Sequence, residues 1–143
     1  MYRRWPDTTS LVIDTLDKLR PDPVTYLRVG ILRDDLIGIT RHMTATQTGV
    51  KADAFRSLLG EAHRHPQLLA RFGSQVLSPL FEAMTDVLRE AAARGEISAA
   101  RLTPVILEVP HALIVKRALL DKHALTESHI TEMVDEVLLP LVA

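Results

Sequence analysis

Residues 102–120 read LTPVILEVPHALIVKRALL, and this stretch decides the fold of the chain. In a helix its apolar side chains occupy two nearly opposite sides. One side consists of Leu102, Ile106, Val109, Leu113 and Leu120, and the other of Leu107, Ile114, Val115 and Ala118. Helices packed on one side cannot cover both, so the stretch predicts a helix that is shielded from two directions.

The C-terminal helix, predicted to begin at Thr126, has the same excess of apolar residues. Its apolar positions are Ile130, Met133, Val134, Val137, Leu138 and Leu141. A second copy of the chain covers the surplus if the two helices of each subunit join in a four-helix bundle around a twofold axis. The pattern therefore predicts a homodimer, and a helix sandwiched wholly inside one subunit is the alternative.

Upstream of this pair, apolar residues recur at intervals of three and four, while the alternation typical of strands is nearly absent. A short front helix is predicted after the caps Thr8, Thr9 and Ser10. Further helices are predicted from about Asp34 to Gln47, from about Ala52 to Arg64, from Pro66 to Gly95 with a kink at Pro79, and from a cap at Ser98 through Pro110. The predicted class is all-α, with about six helices.

The 143 residues carry a net charge of −1 and no cysteine. The charge balance does not mark the whole chain as a binder of polyanions, and without cysteine the stability must come from packing. Charged residues interrupt the most apolar stretch before it reaches the ~20 residues of a membrane span. Because the N-terminus also lacks the pattern of a signal peptide, we expect a cytoplasmic location.

The opening residues Tyr2-Arg3-Arg4-Trp5-Pro6-Asp7-Thr8-Thr9-Ser10-Leu11 provide a more specific signal. They resemble the exit from the recognition helix of TetR-family transcriptional regulators, where Tyr-x-x-Trp/Phe-x-x-Lys-x-x-Leu leads into the fourth helix. The junction Arg64-His65-Pro66 and the turn Ala91-Ala92-Ala93-Arg94-Gly95-Glu96-Ile97 are also typical of the family. One departure is Thr8, which stands where the family usually has a lysine that contacts a phosphate.

The resemblance implies a division of the chain into two parts. Residues 1–20 would be a remnant of the DNA-binding domain, with the end of the recognition helix and the connecting fourth helix, and residues 21–143 the effector-binding and dimerisation domain. Tyr2, Arg3 and Arg4 would lie at the DNA backbone. The family's three preceding helices are not in this sequence, so operator binding is expected only in a form that contains them.

The resemblance also implies an effector cavity among the middle helices and release of a repressor from DNA by a small, largely apolar molecule. The residues placed near such a cavity are Met43, Phe55, Leu59, Phe72, Val76, Leu80, Met84, Leu107, His111 and Ile114. Pro79 and Pro110 each leave a backbone carbonyl without its helical partner, which provides a polar anchor inside an apolar helix. An ordinary apolar core is the alternative for most of these positions.

Two other functions are compatible with the sequence. A stand-alone helical module could modulate full-length relatives by forming mixed dimers. A small helical metalloenzyme could use Glu108 and His111, whose Glu-x-x-His spacing is that of di-iron bundles, but such bundles need the motif twice and it occurs once. The expectation is therefore a regulator domain that is not an enzyme and that holds no cofactor or metal.

Overall fold

The computed structural model of the chain describes residues 14, 28–45, 60, 64, 66–117 and 125–143. The described residues form helices joined by turns, with no strand among them, as the all-α prediction requires. The helices are α1 (Leu32–Ala45), α2 (Pro66–Phe72), α3 (Ser78–Ala93), α4 (Pro104–Lys116), α5 (Glu127–Glu132) and α6 (Leu139–Val142). None of the helices in the described ranges is long and apolar enough to cross a membrane.

The long helix predicted from Pro66 is present, with a distortion before Pro79. A π-helical segment, Gly73–Leu77, separates α2 from α3. Proline has no amide hydrogen, so the carbonyl four residues before it loses its usual donor. In the wider turn of a π-helix, a carbonyl accepts instead from the amide five residues further along the chain. The predicted kink thus takes the form of a π-helical segment.

The predicted stop of this helix at Gly95 is also confirmed. Gly95 has a φ of +83°, the left-handed conformation that glycine adopts most easily. Its amide donates to the carbonyl of Ala92, and the amide of Glu96 donates to that of Ala91, each at 3.0 Å. This pair of bonds is the Schellman motif, which satisfies the last carbonyls of the helix.

Two predicted helix starts need correction. Ser98 caps a short 3-10 turn, Ala99–Arg101, while α4 begins at Pro104 with Thr103 as its cap. The threonine hydroxyl accepts from the amide of Ile106 at 3.3 Å, and Pro104 suits the first helical position because its missing amide hydrogen is not needed there. The second correction concerns α1, which begins at Leu32 rather than at Asp34. The amide of Leu32 donates to the carboxylate of Glu96, 64 residues away in the sequence.

The C-terminal helix begins after Thr126, as predicted. The Thr126 hydroxyl accepts from the amide of His129 at 3.2 Å. Its middle, Met133–Leu138, is π-helical, which the apolar pattern did not indicate. Pro140 follows this segment at the same spacing as Pro79 follows the first one, whereas Pro110 lies inside α4 without a π-helical segment before it. The three consecutive segments of residues 127–142 are called the terminal rod below.

The core is formed by stripes from α1, α3 and the terminal rod, with one residue from α4. Each stripe repeats at three or four residues, the spacing of one helix face. Its buried members are Leu32, Leu36, Ile39 and Met43 of α1; Ala83, Met84, Val87, Leu88 and Ala91 of α3; Ile114 of α4; and Val134, Leu138 and Val142 of the terminal rod. The buried residues of α1, α3 and the terminal rod thus recur at the helical spacing that the sequence predicts.

Two bidentate ion pairs connect α1 to the terminal rod. Arg33 binds Asp135 through Nε and Nη2 at 2.7 and 3.0 Å, and Arg41 binds Glu127 through the same atoms at 2.6 and 2.8 Å. The arginines lie eight residues apart, as do the two acids in reverse order, so the helices run antiparallel. The planar guanidinium fits a carboxylate with two parallel hydrogen bonds, which fixes the register of the two helices.

These ion pairs should make part of the stability depend on pH. The hydrogen bond from Arg33 lowers the pKa of Asp135, and that from Arg41 lowers the pKa of Glu127, in each case against a smaller desolvation effect and with help from the positive charge. When the pKa of an acid is lower in the folded state than in the unfolded state, the ionised acid stabilises the fold. This stabilisation is fully present above the unfolded pKa of about 4 and is lost as the pH falls through the folded pKa. We expect the variant Asp135→Asn/Glu127→Gln to have a lower urea midpoint than the wild type at neutral pH. The midpoints should converge in acid, and a gap that persists below the folded pKa values would contradict this origin.

The cap of the terminal rod offers a second test of stability. Replacement of Thr126 by alanine leaves the His129 amide without its acceptor and should lower the free energy of unfolding by about 1 kcal/mol. The matched control is Thr131→Ala in the same helix, whose hydroxyl donates to the Glu127 carbonyl, an added bond that contributes little. Urea unfolding monitored by circular dichroism measures both. Equal losses in the two variants would exclude the capping explanation.

Candidate functional site

The residues predicted to surround an effector fall into three groups. Met43, Met84 and Ile114 are buried in the core, at 1%, 0% and 2% exposure. Leu107 and His111 are half-buried on α4. The backbone of Phe72, Val76 and Leu80 is helical, while the side chains of these three, like the whole of Phe55 and Leu59, lie outside the described residues. The structure thus brings Met43, Met84 and Ile114 into one cluster.

His111 has an unusual environment for a histidine on an apolar helix. Its ring stacks on that of Phe81 of α3, with the ring centroids 3.8 Å apart and the planes inclined by 12°. Its Nε2 is buried, yet has no hydrogen-bond partner in the described part of the chain. Thr40 Oγ1 of α1 is in the same condition, at a residue that is fully buried. Buried polar atoms without a partner are rare in folded proteins, so each needs an explanation such as a bound water or ion.

Burial lowers the pKa of His111 below its ordinary value of 6.5. A hydrogen bond to the backbone of Phe81 and the negative charge of Glu108 act in the opposite direction but do not outweigh the desolvation. The imidazole is therefore neutral at neutral pH. A neutral imidazole has one nitrogen that donates and one that accepts.

Glu108 and His111, the pair considered for a metal, share one side of α4 as their spacing requires. Glu108 is exposed, and its influence on His111 is electrostatic. In the described ranges no group of three or more His, Cys, Asp or Glu residues is placed to hold a metal ion. Of the two residues with this spacing, Glu108 is thus exposed and His111 is half-buried.

The predicted dimer face divides into covered and uncovered residues. Ile130, Val134 and Leu138 are at most 4% exposed within the single chain, so they are buried by its own core. The partly exposed members are Leu102, Ile106, Val109 and Leu113 of α4, and Met133, Val137 and Leu141 of the terminal rod. Leu120 lies outside the described residues. Val105 of α4, absent from the prediction, is 70% exposed.

A groove of about 160 Å³ runs between α4 and the terminal rod. Its apolar lining includes Leu113, Met133 and Val137, three of the residues predicted for the dimer interface. The other lining residues are Arg117, Leu125, His129, Glu132 and Glu136. The groove thus combines apolar side chains with charged side chains of both signs.

The segment before α1 is held from two sides. Asp35, at 2% exposure, accepts the amide of Val29 at 2.8 Å and that of Gly30 at 3.2 Å. Gly30 has a φ of +80°, which lets the backbone turn toward this carboxylate. Arg28 forms an ion pair with Glu90 of α3, and Glu96 receives the first amide of α1. Residues 28–31 are thereby tied both to α1 and to the C-terminal end of α3.

The sequence analysis missed this anchor, although it contains a local signal. Asp35 lies five and six residues after the amides that it accepts, within reach of a carboxylate that folds back over a helix start. The contacts of Glu90 and Glu96 connect residues more than 60 positions apart, and no pattern in the sequence indicates them. Tyr2, Arg3 and Arg4, predicted to lie at the DNA backbone, are outside the described residues.

Comparison with known proteins gives consistent matches. Residues 29–137 match the family described as "Tetracyclin repressor-like, C-terminal domain". Similar proteins include an uncharacterized HTH-type transcriptional regulator of Mycobacterium bovis and its counterparts in two strains of Mycobacterium tuberculosis. Each is 28% identical to the chain over 140 residues, which is 98% of the chain and 69% of the relative.

Proposed function

The chain belongs to the tetracyclin repressor-like C-terminal domain family, and from this we propose that it is the effector-sensing and dimerisation part of a transcriptional repressor. The observation that carries the proposal is the family match over residues 29–137. The relatives are named HTH-type transcriptional regulators, which supports the same role here. In this proposal residues 21–143 form the regulatory domain, and residues 1–20 lead into it from a DNA-binding domain.

The proposed dimer uses α4 and the terminal rod of each subunit. Support comes from the half-exposed apolar residues on both helices and from the groove between them. A second copy would cover these residues and the groove between the two helices. Such an isologous contact uses one patch twice, so each favourable pair is formed two times.

Effector binding can act on DNA only if the DNA-competent and incompetent dimers bind the effector with different affinity. The anchor of residues 28–31 supports a route for this coupling. α3 carries Phe81 beside His111, and the same helix carries Glu90, which holds Arg28 in the segment before α1. A shift of α3 on binding of a small, largely apolar molecule would therefore move the segment that leads toward the DNA-binding part.

A repression assay in cells tests the proposal. The whole chain is fused behind a DNA-binding domain from another protein that represses a reporter gene only as a dimer. We expect the fusion to repress, and an organic extract of the source cells to relieve repression. Absence of repression from a stably expressed fusion would contradict the dimerisation role, whereas repression that no extract relieves would contradict effector sensing.

A further inference from the structure

His111 has the position of a polar anchor in an otherwise apolar environment. Helical spacing puts Leu107 four residues before it and Ile114 three residues after it, on neighbouring positions of the same α4 face. The phenyl ring of Phe81 covers one side of the imidazole at 3.8 Å. The ring orientation is thus fixed by stacking, which leaves Nε2 as the polar atom without a described partner.

The kind of group that Nε2 lacks follows from the chemistry of the ring. A neutral imidazole carries one hydrogen on its two nitrogens, so Nε2 either accepts or donates a hydrogen bond. A hydroxyl group can do both and complements Nε2 in either case. A carboxylate or phosphate would instead bring a charge into a buried environment, where its desolvation is costly.

We propose that His111 Nε2 forms a hydrogen bond with a hydroxyl group of a neutral, mainly apolar effector. This inference rests on the proposed function, since it requires a small molecule to enter beside α3 and α4. It adds a chemical class to that function: an uncharged molecule with an apolar body and at least one hydroxyl group. An anchoring bond of this kind also discriminates strongly, because a ligand that lacks the hydroxyl leaves the buried nitrogen unsatisfied.

Three probes of one shape test the inference: 2-naphthol, naphthalene and 2-naphthoate. Each is titrated into the whole chain while the nitrogen-15 signals of the histidines are recorded. We expect 2-naphthol to bind about tenfold more tightly than naphthalene, as one buried hydrogen bond allows. The His111 Nε2 signal should shift on binding of 2-naphthol, and 2-naphthoate should bind more weakly than either of the other probes because its charge would be buried.

Variants separate the hydrogen bond from general packing. His111→Phe keeps a ring that can stack on Phe81 and removes the polar nitrogen, so the preference for 2-naphthol over naphthalene should disappear. His111→Gln retains a side-chain group that both accepts and donates, and should restore part of the preference. His42→Phe, the same exchange on α1, should leave the preference unchanged.

The outcomes distinguish failure of the His111 role from failure of the proposed effector-sensing function. Equal binding of 2-naphthol and naphthalene, or an unchanged Nε2 signal that reports only a bound water, overturns the role of His111 but leaves an apolar site in place. Tightest binding of 2-naphthoate overturns the proposed class of effector. Failure of all three probes to bind overturns the interior effector site as well.

Discussion

Replacement of Asp35 by alanine is expected to lower the free energy of unfolding by about 3 kcal/mol, and the melting temperature by about 10 °C. The carboxylate is 2% exposed and accepts two backbone amides, those of Val29 and Gly30. Removal leaves two donors without an acceptor, and hydrogen bonds to a charged group contribute more than neutral ones. Thermal and urea unfolding measure the loss.

Asp34 provides the matched control for this variant. It is the preceding residue of the same helix turn and bears the same carboxylate, but its side chain is 52% exposed and its ion pair with Arg33 is long, at 4.0 Å. Asp34→Ala should therefore change the stability by no more than about 0.5 kcal/mol. Asp35→Asn keeps one acceptor oxygen and should fall between the two. Similar losses for Asp34→Ala and Asp35→Ala would show that the anchor does not stabilise the fold.

The Asp35 anchor also illustrates what the sequence could and could not predict. Local signals were sufficient for the helix ends at Gly95 and Thr126, since the residues that cap each end lie within a few positions of it. The start of α1 was predicted two residues late because Glu96, from a distant part of the chain, supplies the acceptor. Where a helix end is completed by a remote side chain, short-range patterns contain no trace of it.

The start of α4 was misplaced for a different reason. Ser98 and Thr103 are both good caps, and the prediction chose the earlier one. Pro104 directly after Thr103 was a local signal in favour of the later start. The π-helical segment before Pro140 has no comparable signal, because Pro110 stands inside a regular α4.

The apolar stripes of the terminal rod show a limit of helical periodicity. Two adjacent stripes fit the pattern, one through Ile130, Val134 and Leu138 and one through Met133, Val137 and Leu141. Periodicity marks both as apolar but cannot tell which one the chain covers itself. The structure buries the first stripe inside the single chain and leaves the second half-exposed. The candidate site therefore depended on a tertiary contact that the sequence does not encode locally.

This division makes Val137 a position at which a charge should disrupt the proposed dimer. Val137 lines the groove between α4 and the terminal rod and is half-exposed in one chain. Val137→Glu would bury a carboxylate twice in the isologous contact and lose the burial of two valines, each contributing about 1.5 kcal/mol. We expect the dimer dissociation constant to rise at least about 100-fold, measured by sedimentation equilibrium.

Val29→Glu is the control, since it makes the same exchange at a valine that is 57% exposed on the segment before α1. It should leave the dissociation constant unchanged. Leu113→Glu, on the opposite wall of the groove, should act like Val137→Glu, and circular dichroism must show native helix content in each variant. Leu113 belongs to α4 and Val137 to the terminal rod. If both variants keep the fold but lose the dimer, the partner subunit must contact α4 and the terminal rod together. Folded Val137→Glu and Leu113→Glu proteins that remain dimeric would place the subunit contact on another surface.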